Sequence, residues 1–211
     1  MKLHFFSFLF LIVLTTAIQA QDDWTKRDQW QNVDGIFQAM ELKPGSVAAD
    51  IGCQDGYLTL KMATRVDSAG KIFAVDIDKD ALDKLKKNLQ KNSVHNVVSI
   101  LSKEDNPMLP AGELDAAVIV NAYHEMTEYK SMLTHIKNAL KPGGRLVIVE
   151  PITERLRKAS RKEQTDSHRI ASSLVKKDLE EAGFQIDTLI EPFVQRVSRS
   201  DEMWLIVGIK K

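Results

Sequence analysis

The chain has 211 residues, 44% hydrophobic and 27% charged, ordinary proportions for one globular domain with a sizeable core. Lys and Arg together number 29 and so do Asp and Glu, which excludes the basic excess of a general nucleic-acid binder. A single cysteine, Cys53, excludes an internal disulfide framework and a multi-cysteine zinc centre, and leaves a small-molecule enzyme as the leading class.

Residues 1–20 are composed differently from the rest. Lys2 precedes the apolar run from Phe5 to Leu14, and a small-residue stretch ends at Ala20. These are the parts of a secretory signal peptide, with cleavage expected before Gln21. The rival is an uncleaved anchor. The 16 residues from Phe5 to Ala20 include four polar ones and fall short of the roughly 20 apolar residues of a spanning helix. The expectation is a leader over 1–20 and an exported domain, periplasmic or secreted, over 21–211. No stable membrane span is expected after cleavage; a leader that does not function would leave the domain in the cytoplasm.

Val33, Ile36, Phe37 and Met40 recur at helical spacing and predict an amphipathic helix within 28–41. Lys43-Pro-Gly45 ends it. A short buried strand is expected over 47–52, then a helix carrying Leu58, Met62 and Val66. A second strand runs from Lys71 to Asp76, and Leu82, Leu85 and Leu89 mark a lysine-rich helix. Strands follow at 97–101 and 115–120, then a helix with Met132, Leu133, Ile136 and Leu140, closed by Lys141-Pro-Gly-Gly144. A fifth strand covers 145–150. A polar, basic stretch runs to about residue 168, and a last helix carries Val175, Leu179 and Ala182. Two closing strands, near 184–190 and 204–209, are close enough in sequence to pair antiparallel. Strands alternate with helices and the central ones are apolar throughout, so the fold class is α/β, a doubly wound parallel sheet covered on both faces. Ligands in such sheets bind beyond the carboxyl ends of the strands, where the strand order reverses.

The first strand ends in Asp50-Ile-Gly52-Cys53-Gln54-Asp-Gly56. Glycines at a strand-to-helix turn let the backbone approach a ligand, and the next helix offers free N–H donors. Asp76 ends the second strand, where an acid can accept from ribose hydroxyls. A tight turn with a capping aspartate is the structural reading of the same residues. The dinucleotide pattern Gly-x-Gly-x-x-Gly is not met, since Gln54 and Tyr57 occupy two of its positions.

The loop instead resembles the Asp-x-Gly-x-Gly-x-Gly loop of class I S-adenosylmethionine-dependent methyltransferases, with Gln54 replacing the middle glycine. The resemblance extends over residues 28–211, through Ala74-Val-Asp76, Leu140-Lys-Pro-Gly-Gly144 and Glu180-Glu-Ala-Gly-Phe184. It implies a Rossmann-like, seven-stranded, mostly parallel sheet whose last strand is antiparallel, and S-adenosyl-L-methionine as cofactor. It assigns Asp50, Gly52, Cys53 and Gly56 to the methionine portion, Asp76 to the ribose and Ile77 to the adenine face. Glu104 or Asp105 would lie near the adenine amino group, and Asn121 would face the reactive end. If position 54 needs a positive φ, its non-glycine residue is strained by roughly 1 kcal/mol.

The segment Ala122-Tyr-His-Glu-Met126 follows the fourth strand, which in the family overlooks the transferred methyl. His124 is therefore the candidate catalytic base; a positioning or purely structural role is the alternative. A zinc reading of His124-Glu125 needs a histidine at 128, where Glu128 stands, so no metal is expected. His168, before the last helix, either covers substrate or is an exposed helix-end residue. The five basic residues between Arg155 and Lys162 read as a solvated face, with an anion-binding lid as the alternative. Cys53 lacks a nearby histidine to activate it and reads as packing. Trp24 and Trp30 are expected to cover the cleft or the core. The reading is a methyltransferase acting on a small-molecule acceptor; a non-catalytic nucleoside binder that keeps the fold is the rival.

Overall fold

A computed structural model describes residues 24–211; the leader reading and the first residues of the expected domain lie outside the described residues. After a helical turn at 24–28, helix α1 (Val33–Ala39) starts where the Asn32 side chain accepts the Gly35 N–H. Strand β1 (Val47–Ile51), helix α2 (Tyr57–Val66), strand β2 (Lys71–Asp76), helix α3 (Lys79–Lys91) and strand β3 (Val97–Leu101) follow. Strand β4 (Leu114–Val120) leads through a 3₁₀ turn (Tyr123–Glu125) into helix α4 (Tyr129–Ala139). Strand β5 (Leu140–Ile152), a 3₁₀ turn (Glu154–Leu156), helix α5 (Arg161–Asp166) and helix α6 (Ser172–Glu181) come next. Strand β6 (Phe184–Arg196) and strand β7 (Asp201–Lys210) close the chain.

The seven strands lie in the order β3-β2-β1-β4-β5-β7-β6. All neighbours are parallel except β7, which runs antiparallel to both β5 and β6. The expected sheet, including its antiparallel last strand, is the observed one. Burial explains the apolar runs: β1, β2 and β4 are covered on both faces, whereas the edge strands β3 and β6 are partly exposed along their length. Ile36, Phe37, Tyr57, Leu58 and Met62 of α1 and α2 pack on one face, and Leu133, Ile136, Val175 and Leu179 of α4 and α6 on the other. Leu82, Leu85 and Leu89 of α3 form a smaller cluster with Cys53 and Ala74.

Three departures from the sequence reading bear on the site. The 141–144 turn is absorbed into β5 as an irregularity opposite Leu114 and Ala116. The closing strands are longer than expected, which carries their hairpin out to the cleft. The polar stretch contains α5, which opens with a capping box: the Ser160 hydroxyl accepts the Glu163 N–H and the Glu163 carboxylate accepts the Ser160 N–H. That signature, Ser-x-x-Glu, stands in the sequence.

Candidate active site

The order of strands reverses between β1 and β4, and a cleft opens at their carboxyl ends. Asp50 of β1 with Gly52, Cys53 and Gln54 of the following loop line it, as do Val120 of β4 and Asn121 just past its end. Gly52 and Gly56 have φ of +78° and +95°. A Cβ on Gly52 would stand 2.7 Å from that of Ala122, and one on Gly56 would stand 2.3 Å from Leu85 Cδ1. Close packing of the loop against its neighbours therefore requires glycine at both positions, independently of any ligand. Gln54 has φ +49°, so the conformation suited to glycine is held by a side-chain-bearing residue.

Asp50 is buried, and its carboxylate accepts the Thr59 hydroxyl at 2.6 Å. Burial pushes its pKa up to about 6, against the lowering effect of Thr59 and of the Arg27 charge. Asp76, at the end of β2, accepts the Gln54 N–H at 2.8 Å and the Asp78 N–H at 2.9 Å. Its carboxylate thus braces the loop as well as standing where the resemblance puts the ribose. Ile77 is exposed, and Glu104 and Asp105 lie in the exposed turn after β3; none of the three lines the cleft. Burial, together with Asp50 and Asp76, pushes the Cys53 thiol well above the usual thiol range, in keeping with packing.

Trp30 lines the cleft, one of the two places expected for it, but the arginines that close the cleft with it were not foreseen. Arg27 and Trp30 enter from the amino-terminal segment, and Arg196 and Arg199 from the β6–β7 hairpin. The Arg196 and Arg199 guanidinium carbons lie 5.1 and 5.8 Å from the Trp30 ring centroid. Asp201 holds Arg196 through two bonds of 2.8 Å. Trp24 packs edge-on against Tyr57 and donates to Asp55 at 3.2 Å. No local pattern marks Arg196 and Arg199; only the unforeseen length of the hairpin brings them in.

His124 is buried beside this cleft, three residues beyond Asn121, but does not line it. Its Nδ1 lies 2.7 Å from Glu150 Oε2, and the other Glu150 oxygen accepts the Ala122 and Tyr123 N–H groups at 2.7 and 2.6 Å. An ionised carboxylate only accepts, so Nδ1 carries the proton, and in the neutral ring Nε2 is the lone pair. Burial opposes the charged imidazole, but the hydrogen bond and charge of Glu150, with Glu125, outweigh it and raise the His124 pKa. His124 Nε2 lies 3.6 Å from Glu125 Oε1, and the His168 ring stands edge-on at 5.7 Å.

This arrangement defines a doubly wound α/β domain with an acid-and-glycine loop at its switch point. A family described as "Methyltransferase domain" matches residues 42–188, so the chain belongs to that family. A probable cobalt-precorrin-6B C(15)-methyltransferase from Methanothermobacter thermautotrophicus is 30% identical over 115 residues, covering 53% of this chain and 57% of its own. The chain spans about half to three fifths of the length of the curated relatives it matches. A SAM-dependent methyltransferase from Aquifex aeolicus superposes with a TM-score of 0.76 at 20% identity, over 93% of this chain and 98% of its own. The cyclase SpnF superposes with a TM-score of 0.72 at 18% identity, over 84% of this chain and 80% of its own. Among the described residues, no helix is long and apolar enough to cross a membrane.

Proposed function

We propose that the cleft binds S-adenosyl-L-methionine and that the protein transfers its methyl group to a small-molecule acceptor. The observation that carries this is the loop between β1 and α2, bound to Asp76 of β2 and opening beside Asp50 and Asn121 in a chain of the methyltransferase family. Asp50 would take the cofactor's ammonium group and Asp76 its ribose, while Arg27, Arg196 and Arg199 favour anionic groups in the same cleft. A sulfonium carries its own leaving group, so the chain's task is to align the acceptor at about 3 Å and to exclude water. His124 acts in this reading as a positioning residue, fixing the 121–126 loop through Glu150, because its ring does not line the cleft. The named precorrin methyltransferase supports a small-molecule acceptor.

A non-catalytic or non-methylating binder is the second reading. It is favoured by the strained Gln54 and by the presence of a cyclase among proteins of this fold, since fold alone does not fix chemistry. Calorimetry with S-adenosylmethionine, followed by transfer of labelled methyl to a metabolite extract, separates the two. Binding abolished by Asp50→Asn together with label transfer supports the methyltransferase. Binding with no transfer to any acceptor class supports the second reading, and no cofactor binding removes the first.

A further inference from the structure

Three potential metal ligands converge from two separate loops outside the cofactor loop. His124 and Glu125 come from the turn after β4, and His168 from the segment joining α5 to α6. One ligand atom from each lies within 4.8 Å of the others. His124 Nε2 and His168 Nδ1 stand 3.6 and 3.5 Å from the same oxygen, Glu125 Oε1. A tetrahedral ion with ligands at about 2.1 Å spaces them about 3.4 Å apart, so both contacts already have the separation of ligands sharing a metal.

An independent feature points the same way. The buried Glu150 carboxylate binds the Nδ1 of His124, fixing the tautomer and turning the Nε2 lone pair toward Glu125 and His168. A carboxylate behind a histidine is the usual support of a metal-bound imidazole. Charge also favours a cation. Glu150 and Glu125 contribute two negative charges, and Arg169, the cation felt at His124, is paired with Asp201 at 2.9 Å. The segment carrying His168 is tied at both ends: Arg161 of α5 and Tyr123 both bond to Asp178 of α6, at 2.6 and 2.9 Å, and the Gln164 side chain accepts the Ala171 N–H at 2.7 Å.

We infer that His124, Glu125 and His168 form a divalent transition-metal site of the zinc class, with Glu150 orienting His124. Two imidazoles and one carboxylate suit zinc or ferrous iron, and three protein ligands leave a position open to an oxygen donor such as a hydroxyl or carboxylate. The histidine sought at position 128 is supplied by a distant loop, so no metal-ligand spacing stands in the sequence. Metal binding does not depend on the methyltransferase reading and is tested without cofactor.

The test is titration of the chelator-treated full chain with zinc chloride by calorimetry and with cobalt chloride by visible spectroscopy. The expected result is one ion per chain, with cobalt d–d bands of low coordination number. His168→Ala and Glu125→Gln, both exposed, should each weaken zinc at least tenfold and leave thermal unfolding unchanged, while His95→Ala should change nothing. Glu150→Gln is the sharper variant. Its amide would donate to Nδ1 and drive the proton to Nε2, removing the ligand, with an expected loss of roughly 10–100-fold. Absence of stoichiometric zinc binding, or equal affinity in His168→Ala and wild type, would overturn the site.

Discussion

The Asp76 carboxylate accepts the Gln54 backbone N–H at 2.8 Å while Gln54 holds a φ of +49°. One acid at the end of β2 therefore fixes the strained turn that ends β1. A residue whose only task was to bind ribose would leave the unliganded fold unchanged when removed. Asp76 also binds the Asp78 N–H, and each charge-assisted bond contributes about 1.5–3 kcal/mol. Asp76→Ala should lower unfolding stability by about 2–4 kcal/mol without any cofactor, as measured by urea denaturation. A variant as stable as wild type would confine Asp76 to ligand contact.

The strain at Gln54 gives a prediction of opposite sign. A non-glycine residue in the left-handed region is disfavoured by about 1 kcal/mol, and glycine recovers most of this against its greater freedom in the unfolded chain. Gln54→Gly should raise stability by about 0.5 kcal/mol and leave S-adenosylmethionine affinity equal or tighter. A loss of affinity would mean that the Gln54 side chain itself contacts the ligand.

Asp50 makes binding depend on pH. Its native pKa near 6 lies above the ordinary 3.8, so the native state holds its proton more tightly than the unfolded state. The stability it contributes is complete below about pH 4 and is lost as pH rises through 6. The shift corresponds to roughly 3 kcal/mol. Asp50→Asn should abolish this part of the pH dependence and be more stable than wild type at pH 7. Its cofactor affinity should fall at least tenfold, and wild-type affinity should fall as pH drops from 7 to 5. A pH-independent difference in stability between the two proteins would remove the assignment.

Glu150 tests how the end of β4 is built. One buried carboxylate serves two backbone amides and an imidazole, so Glu150→Ala strands three polar groups at once. Stranding buried partners of a charge is worth about 3–5 kcal/mol. Glu150→Ala should lose about that much on urea denaturation, with Glu150→Gln recovering part of it through the amide oxygen. A loss under 1 kcal/mol would show that the 121–126 loop is held by other contacts.

Legibility in the sequence followed the range of the interaction that sets each element. Strand β2 and strand β3 have the expected bounds because their apolar runs end at Asp76, whose carboxylate takes the N–H groups of Gln54 and Asp78, and at the polar run that begins at Ser102. Asp50, Gly52 and Asn121 meet in one cleft because a strand-ending position is a local property that the parallel fold converts into proximity. The hairpin reads as short because Glu191 and Glu202 interrupt the apolar pattern. In the fold Arg157, from the turn after β5, pairs with both acids and neutralises them. His124 and His168 were read separately because nothing local indicates that the start of α6 folds back onto the end of β4.

Arg199 isolates the role of charge in the cleft. Unlike Arg196, which Asp201 holds in place, Arg199 is exposed and rests 5.8 Å from the Trp30 ring centroid. An exposed cation of this kind contributes little to folding, so Arg199→Ala should change the unfolding free energy by less than about 0.5 kcal/mol. If the arginines attract anionic groups, the same change should weaken binding of S-adenosylhomocysteine or of an anionic acceptor several-fold. Part of that loss should disappear at high salt, because the attraction of an exposed charge is screened over about 10 Å at 0.1 M. Arg199→Lys should recover most of the binding, since it keeps the charge and loses only the planar stacking on Trp30. Equal binding by Arg199→Ala and wild type at low salt would assign the arginines to closing the hairpin over the cleft and leave the anion preference without support.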